Sequence, residues 1–473
     1  MSAPKGNYHA HKSTLDLDDI QGNILRGYKQ RNGRHFALRV VNGGSARGFL
    51  GDIVDPDSKL PQVTTAAHWG DDRPPYCLNI GITHAGLAAL GIPKSMLEQF
   101  PKPFSQGPAA RASEVGDEGP SDPQLWSVGG PGTPPVHVVL SLYTTEETNP
   151  QQGPLSQQLR EAFGESGLDE IWSLDTNAFP DGKIHFGYRD GISQPNVEGA
   201  PGGRLKDMQP DSLTGDFLLG KNYRNLYKGN YIGGIPPELG DNASYAAVRV
   251  LDQHVEDFEN FINTVEKRHH MDSEMVAAKM VGRWRNGNPL VLTPHRPDPD
   301  PEIPWDNIDK YDYAPSDRAP EYLDDKDGMR CPIGSHMRRL NPRSSLVMGS
   351  PHSRRIIRRG MPYGPQFDPK EPVKAERGLF GYFICGDLAM QYEFLMGTWA
   401  NGDFSTSGLR GTRDPILGAQ PEEGGQFVIR TEDVRDPIVV DDMPRLVTTR
   451  GSLYCFLPGL NGLRFIAGKE LVR

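Results

Sequence analysis

The stretch that decides the fold runs from residue 245 to residue 265 and reads YAAVRVLDQHVEDFENFINTV. Its first part, Tyr245–Leu251, has the side-chain alternation of a β-strand. Its second part, Val255–Val265, has apolar residues at helical spacing. A strand that leads directly into an amphipathic helix predicts a sheet with helices packed on one face.

The same order of elements occurs in both halves of the chain. Further strands are predicted at Phe36–Val41, Leu78–Ile82, Val136–Tyr143, Phe380–Cys385 and Leu453–Leu457. Helices are predicted from Thr83 to Leu90, with Thr83 as N-cap and Gly91 just past the end, and from Leu388 to Trp399. This repetition predicts an α+β fold made of two halves, each an antiparallel sheet with helices on one face.

The domain boundaries follow from loop-rich and polar segments. Residues 1–14 are polar and are expected to form a flexible arm. The stretch Ser212–Pro237 is the expected junction, which gives an N-terminal domain from 15 to 230 and a C-terminal domain from 231 to 473.

Composition narrows the class of protein. Of the 473 residues, 36% are hydrophobic and 24% are charged, as in an ordinary soluble globular protein. The net charge of −10 argues against nucleic acid as a partner. No stretch approaches the roughly 20 apolar residues that span a membrane, and Met1–Thr14 has no secretory signal, so a cytoplasmic location is predicted. Four cysteines without a C-x-x-C spacing are expected to be reduced core residues.

One part of this acidic chain is strongly basic. It contains Arg338, Arg339, Arg343, Arg354, Arg355, Arg358 and Arg359. Such a run is either a solvated charged strip or a site for an anionic ligand, for which a carboxylate is the obvious choice.

Three short segments carry residues suited to catalysis. They are Gly187–Gly191 (GYRDG), Cys331–Arg343, in which His336 is the only histidine, and Ile356–Gly364 (IIRRGMPYG). Taken singly, Asp190 is typical of a turn, His336 of a structural residue and the third segment of an arginine-rich turn. Taken together, they supply what a haem peroxidase needs, namely an imidazole for the iron, an acid–base group for peroxide and a cation for developing charge.

These segments resemble those of the dye-decolorizing peroxidases. Gly187–Gly191 matches the family's G-x-x-D-G pattern, and Cys331–Arg343 matches C-P-x-x-x-H-x-R-x-x-N-P-R. Ile356–Gly364 matches I-x-R-x-G-x-P-Y-G, and Asp19–Leu25 is similar to an opening segment of the larger members. The resemblance runs from about residue 16 to the C-terminal strand.

The resemblance implies a fold of two ferredoxin-like halves, with one haem b per chain held mainly by the C-terminal half. His336 would be the axial ligand of the iron, Asp190 the acid–base group and Arg358 its cationic partner. Arg343 and Arg189 are the expected partners of the haem propionates. The implied activity is the oxidation of dyes, phenols and similar one-electron donors with hydrogen peroxide. Because an aspartate titrates at lower pH than a histidine, peak turnover is expected below neutral pH.

Several points stay open at the level of sequence. Either Asp387 or Glu393, with Glu393 preferred, is expected to accept the second N–H of His336. Phe383 is expected to take the aromatic position over the haem, but the strand Gly378–Phe383 reads two residues longer than in the family, so the neighbouring leucine is not assigned. The tryptophans that could relay electrons to bulky dyes include Trp126, Trp172, Trp284, Trp305 and Trp399, most of which are expected in the core.

Two other readings compete with a peroxidase. One is a haem carrier or sensor without significant turnover, which has no need of Asp190 and Arg358, and the other is a chance match of motifs. Some relatives carry a C-terminal tail that directs them into encapsulin shells; this chain ends at Leu471–Arg473 directly after its last strand, so no such tail is expected. A homo-oligomer is left open.

Overall fold

The structure is a computed structural model that describes residues 15–69, 73–145, 153–200, 209–227, 235–296, 303–314, 324–345, 352–370, 374–404, 409–430 and 437–469. The expected arm at 1–14, the boundary between residues 230 and 231 and the C-terminal residues 471–473 lie outside the described residues.

The strands, in chain order, are β1 (Asn32–Val40), β2 (Tyr76–Ile82), β3 (Val138–Thr144), β4 (Leu168–Asn177), β5 (Asn196–Val197), β6 (Asp211–Ser212), β7 (Ser244–Gln253), β8 (Ile357–Tyr363), β9 (Gly378–Cys385), β10 (Gly425–Ile429), β11 (Ile438–Met443) and β12 (Val447–Leu457). The α-helices are α1 (Gly22–Leu25), α2 (Gly43–Asp52), α3 (His84–Ala89), α4 (Lys94–Leu97), α5 (Lys102–Gln106), α6 (Ala112–Val115), α7 (Pro154–Glu165), α8 (Pro237–Gly240), α9 (Val255–His269), α10 (Ser273–Val281), α11 (His336–Leu340) and α12 (Leu460–Ala467). Two π-helical segments span Leu388–Glu393 and Leu395–Ala400.

Eight strands form one sheet with the order β4-β1-β3-β2-β12-β7-β9-β8. The first four belong to a β1-α2-β2-β3-α7-β4 unit, and the last four to a β7-α9-β8-β9-π-helix-β12 unit. Both units have the same antiparallel order of strands, which is that of a ferredoxin-like fold. The units join where Ile82 of β2 pairs with Phe456 of β12. The predicted α+β fold of two ferredoxin-like halves is therefore confirmed.

The two faces of this sheet have different surroundings. Its outer face packs against helices of both halves, as Phe49 and Phe163 do against Phe36. Its inner face is an apolar core to which both halves contribute. The sheet curls until its edge strands β4 and β8 are in contact, and the Thr176 hydroxyl donates to the Met361 sulfur over 3.2 Å between them.

Most predicted elements are confirmed with small changes at their ends. Thr83 caps α3 by accepting the N–H of Gly86 at 3.0 Å, and Gly91 follows that helix with a positive φ of 85°. The predicted helix at Leu388–Trp399 is present, but it is wound as a π-helix, a form often found at functional sites. All four cysteines are buried and unpaired, as expected. Among the described residues, no helix is both long and apolar enough to cross a membrane.

Candidate active site

Asp190 and Arg358 come together on the outer face of the second half. Asp190 lies in a turn between Gly187 and Gly191, whose φ angles of 81° and 72° favour glycine. Arg358 lies on the edge strand β8. Its Nη1 is 3.8 Å from Asp190 Oδ1, and the two side chains are 36% and 37% exposed. A carboxylate and a guanidinium group therefore stand side by side where a ligand from solvent can reach both.

The turn that carries Asp190 is fastened to β8 through the backbone. The Gln194 side chain donates to the carbonyl of Arg358 at 3.0 Å and accepts its N–H at 3.1 Å. The Arg358 guanidinium also donates to the carbonyl of Ser193 at 2.9 Å. These contacts fix the position of Arg358 relative to Asp190, and none of them involves the carboxylate of Asp190.

His336 begins the short helix α11 and is half-buried. Its Nδ1–H donates to the two carboxylate oxygens of Asp414, at 3.1 and 3.0 Å. Among the described residues, its Nε2 has no hydrogen-bond partner. An imidazole held by a carboxylate at one nitrogen and open at the other is the arrangement of a metal-ligating histidine.

Asp414 is completely buried and remains a carboxylate. Burial alone raises the pKa of this group, but the interaction with His336 and the N–H groups of Leu417 and Ile416, at 2.8 and 2.9 Å, bring the pKa below its ordinary value. The charge of Asp414 makes the imidazole of His336 a stronger electron donor.

The expectation that Asp387 or Glu393 supports His336 is wrong. Asp387 caps the first π-helical segment by accepting the N–H of Met390 at 2.9 Å. Glu393 accepts two hydrogen bonds from Arg111 of the first half, both at 2.6 Å, and one from Tyr454 of β12. Asp414 lies 78 residues after His336 and precedes Pro415, so the sequence offers only the pattern of a turn at that point.

Arg343 is also unavailable for the propionate role predicted from the sequence. It is 1% exposed, donates to Asp309 at 2.6 Å and to the carbonyl of Tyr311 at 2.5 Å, and shares Asp309 with Arg283. A guanidinium group whose charge is already neutralised inside the core does not bind an external carboxylate.

Arg355 is the cation in this cluster that is left without a carboxylate. Its guanidinium donates to Gln209 at 2.5 Å, and no described acidic side chain forms an ion pair with it. Burial, followed by the charge of Arg343, lowers the pKa of Arg355 to about 10. Arg283 and Arg343 thus pair with Asp309, and the guanidinium of Arg355 leaves positive charge available for an anion.

Phe383 and Arg189 take different positions around the site. Phe383 pairs across the strands with Arg358, so the two residues lie on the same face of the sheet. Phe380 and Tyr382 point to the inner core. Arg189 is exposed, and its guanidinium lies over the ring of Trp305 at 5.5 Å.

A small cavity lies next to Leu417 and Phe383, and among the described residues its lining includes none of His336, Asp190 and Arg358. Leu417, which donates its N–H to Asp414, lines the cavity on one side, and Phe383, the strand partner of Arg358, lines it on the other. The remaining walls include the apolar side chains of Leu251 and Met396. The walls also include the ion pair of Arg249 and Asp117, so the fit to a flat metal cofactor rests on His336, Asp190 and Arg358 and not on this cavity.

No family model matches the chain. A curated dye-decolorizing peroxidase of Mycena epipterygia is 29% identical, with 96% of this chain and 87% of that protein covered. Among solved structures, a dye-decolorizing peroxidase in complex with 2,6-dimethoxyphenol is 25% identical, with a TM-score of 0.77 and 96% and 100% of the two chains covered. The enzyme of Auricularia auricula-judae, at 24% identity and a TM-score of 0.77 over 96% and 99% of the chains, has the same fold. The chain is thus similar to dye-decolorizing peroxidases both in sequence, over nearly its whole length, and in fold.

Proposed function

We propose that the chain is a peroxidase that binds one haem b and uses hydrogen peroxide to oxidise dyes, phenols and similar one-electron donors. The observations that carry this proposal are the open pair of Asp190 and Arg358 and the carboxylate-supported imidazole of His336. A carrier or sensor of haem has no use for an acid–base pair of this kind. The solved relative in complex with 2,6-dimethoxyphenol supports phenols as reductants.

The residues present fit a haem group. His336 offers Nε2 to the iron, and Asp414 fixes the ring and its tautomer. The buried, carboxylate-free guanidinium of Arg355 is our choice for a propionate partner in place of Arg343. Arg189 remains a second choice, because it is exposed beside Asp190.

A haem group held by His336 would supply the iron that accepts the oxidising equivalents of peroxide. Asp190 accepts the proton of the inner peroxide oxygen and donates it to the outer oxygen, which leaves as water. The guanidinium of Arg358, 3.8 Å from that carboxylate, stabilises the negative charge that develops on the outer oxygen. Ser193 and Gln194 hold Arg358 in position for this task.

Bulky dyes are best oxidised at the surface, so the burial of each tryptophan bears on its suitability as a relay. Trp126, Trp284 and Trp399 are at most 4% exposed, and Trp172 packs against the inner core. Trp69 and Trp305 are both half-buried, but Trp69 lies beside Arg26 in the first half, whereas Trp305 lies beside Arg189, the residue that precedes Asp190. We assign Trp305 as the relay between the site and large donors.

We also assign the chain to a reducing compartment such as the cytoplasm. Its four cysteines are buried as free thiols, which is the usual state of cysteine in such a compartment.

The test is an absorption spectrum of the haem-loaded protein before and after one equivalent of hydrogen peroxide. We expect a fast spectral change in the wild type and in Asp181→Asn, a control at an exposed carboxylate in the same loop region, and a much slower change in Asp190→Asn. Equal rates for Asp190→Asn and the wild type would remove Asp190 from the mechanism. A haem spectrum that does not respond to peroxide in the wild type would favour a carrier.

A further inference from the structure

Two glycines face each other on the strands directly below Asp190. Gly360 of β8 and Gly381 of β9 are register partners, in line with the pair formed by Arg358 and Phe383. A Cβ atom on Gly360 would lie 3.9 Å from Asp190 Oδ2, and its nearest neighbour would be 3.7 Å away. The sheet therefore has a strip without side chains next to the proposed acid–base group.

The backbone does not require glycine at either position. Neither residue is in the left-handed region, and a Cβ on Gly381 would meet its nearest atoms at 3.6 and 3.7 Å, which is ordinary van der Waals contact. Gly378 on the same strand is different, because a Cβ there would lie 2.1 Å from the carbonyl oxygen of Leu251. Since glycine weakens a strand, its presence at 360 and 381 is better explained by the space that it leaves.

The space above this strip is polar at one end and apolar beside it. Asp190 and Arg358 form the polar end. The Phe383 ring is 3.7 Å from where a Cβ of Gly381 would be, and Phe383 also lines the cavity together with Leu251. A ligand that matches this arrangement has a small polar head attached to an apolar group.

We propose that Gly360 and Gly381 form the floor of a subsite for the apolar substituent of an organic hydroperoxide. The site then accepts alkyl and aryl hydroperoxides besides hydrogen peroxide. This inference rests on the proposed peroxidase function and adds a class of oxidant to it.

The reaction balances with the same groups. The O–O bond of the hydroperoxide ROOH breaks, and Asp190 transfers the proton from the inner oxygen to the outer oxygen, which leaves as the alcohol ROH. The inner oxygen becomes water after two phenol donors have each supplied one electron and one proton. The substituent R remains attached to the outer oxygen throughout, so its apolar contacts are made next to Asp190.

The experiment compares small and large ligands on the haem-loaded protein and on Gly381→Val, Gly381→Ala and Gly360→Ala. The rate of the spectral change is measured with hydrogen peroxide and with cumene hydroperoxide. Equilibrium binding of cyanide and of 4-phenylimidazole is measured by the shift of the haem absorption band. Valine favours strands, so Gly381→Val is expected to fold, and the two alanine variants provide a smaller change at the same places.

We expect the wild type to react with cumene hydroperoxide. In Gly381→Val, the rate with cumene hydroperoxide and the affinity for 4-phenylimidazole should fall by about 10- to 200-fold, because a misplaced group in an apolar pocket costs that much. Both decreases should be smaller in the alanine variants. Hydrogen peroxide and cyanide should be unaffected. If the wild type reacts with hydrogen peroxide but not with cumene hydroperoxide, or if the glycine variants lose both peroxides equally, the subsite is overturned while the peroxidase stands. Failure of the wild type with both peroxides would overturn the proposed function as well.

Discussion

The Nδ1–H of His336 lies within hydrogen-bonding distance of both carboxylate oxygens of Asp414, at 3.1 and 3.0 Å. Asp414 is fully buried and is held in place by the N–H groups of Ile416 and Leu417. The imidazole is thereby fixed in one orientation and one tautomer, with Nε2 left without a hydrogen-bond partner among the described residues.

Replacing Asp414 by asparagine should weaken the bond between His336 and haem iron. The amide keeps the shape of the side chain but removes the negative charge that makes the imidazole a strong donor. We expect haem affinity or peroxide reactivity to fall by about 10- to 100-fold and the ferric–ferrous reduction potential to rise. Haem transfer to an acceptor protein and a redox titration measure both effects.

Glu393→Gln is the matched control for this change, because Glu393 is buried and ion-paired but does not contact His336. It should leave the reduction potential unchanged. A larger shift in Glu393→Gln than in Asp414→Asn would contradict the assignment of Asp414.

Substitutions of the buried residues Arg343 and Arg355 should separate the effect on stability from the effect on haem binding. Arg343→Met removes one of the two arginine partners of Asp309. The free energy of unfolding should fall by about 3–5 kcal/mol, the cost of breaking a buried ion pair. Arg355→Met removes a cation that has no carboxylate, so the free energy of unfolding should be unchanged or higher. Urea unfolding and haem titration of both variants test this, and we expect only Arg355→Met to lower haem affinity without lowering stability.

Trp305→Phe should slow the oxidation of bulky dyes more than that of small phenols. Small phenols reach the cavity directly, whereas large dyes depend on an oxidisable residue near the surface. Trp126→Phe serves as the control, because Trp126 is 4% exposed and donates to the Ser121 carbonyl inside the core. The ratio of kcat/KM for a large dye to that for a small phenol is the readout; a ratio unchanged by Trp305→Phe would exclude this relay.

His35 should make the stability of the protein depend on pH. Burial, helped by the charge of Arg34, lowers the pKa of His35 to about 3, from an ordinary value of 6.5. The unfolded chain therefore binds a proton between these values that the folded chain does not, so stability is full above pH 6.5 and is lost as the pH falls toward 3. The slope is about 1.4 kcal/mol per pH unit.

His35→Gln should lack this contribution. Between pH 7 and pH 5, the loss of unfolding free energy should be about 2 kcal/mol greater in the wild type than in the variant. Urea unfolding at the two pH values gives the comparison, and parallel pH dependences would show that His35 is not kept neutral in the fold.

The strands and helices that carry a clear apolar pattern could be predicted from the sequence, and the edge elements could not. Strand β4 (Leu168–Asn177) was not predicted, because most of its residues are only partly buried and their side chains include acidic groups that pair with Arg34 and Arg160. Strand β8 has the sequence of an arginine-rich turn, since its core-facing positions include Arg359, whose guanidinium is satisfied by the carbonyls of Asn23 and Ile24.

The candidate site, too, could be predicted from the sequence only in part. Asp190, His336 and Arg358 stand in recognisable segments, and the structure brings Asp190 and Arg358 together. Asp414 and the surplus charge of Arg355 could not be found in this way, because they depend on contacts between parts of the chain that are far apart in sequence. The wrong expectation for Glu393 has the same cause, as its partner Arg111 lies 282 residues away.

The contact between the edge strands β4 and β8 also bears on how separable the duplicated halves are. A chain that stopped after β4 would keep the complete strand order of a ferredoxin-like unit. It would nevertheless expose an apolar sheet face, with Ala37 and Val139 deprived of Val248 and Phe380, and two strand edges open to pairing with other chains. The two repeated units are therefore not independent domains. A deletion of the β1–β4 unit, which spares every proposed catalytic residue, should yield an aggregating fragment.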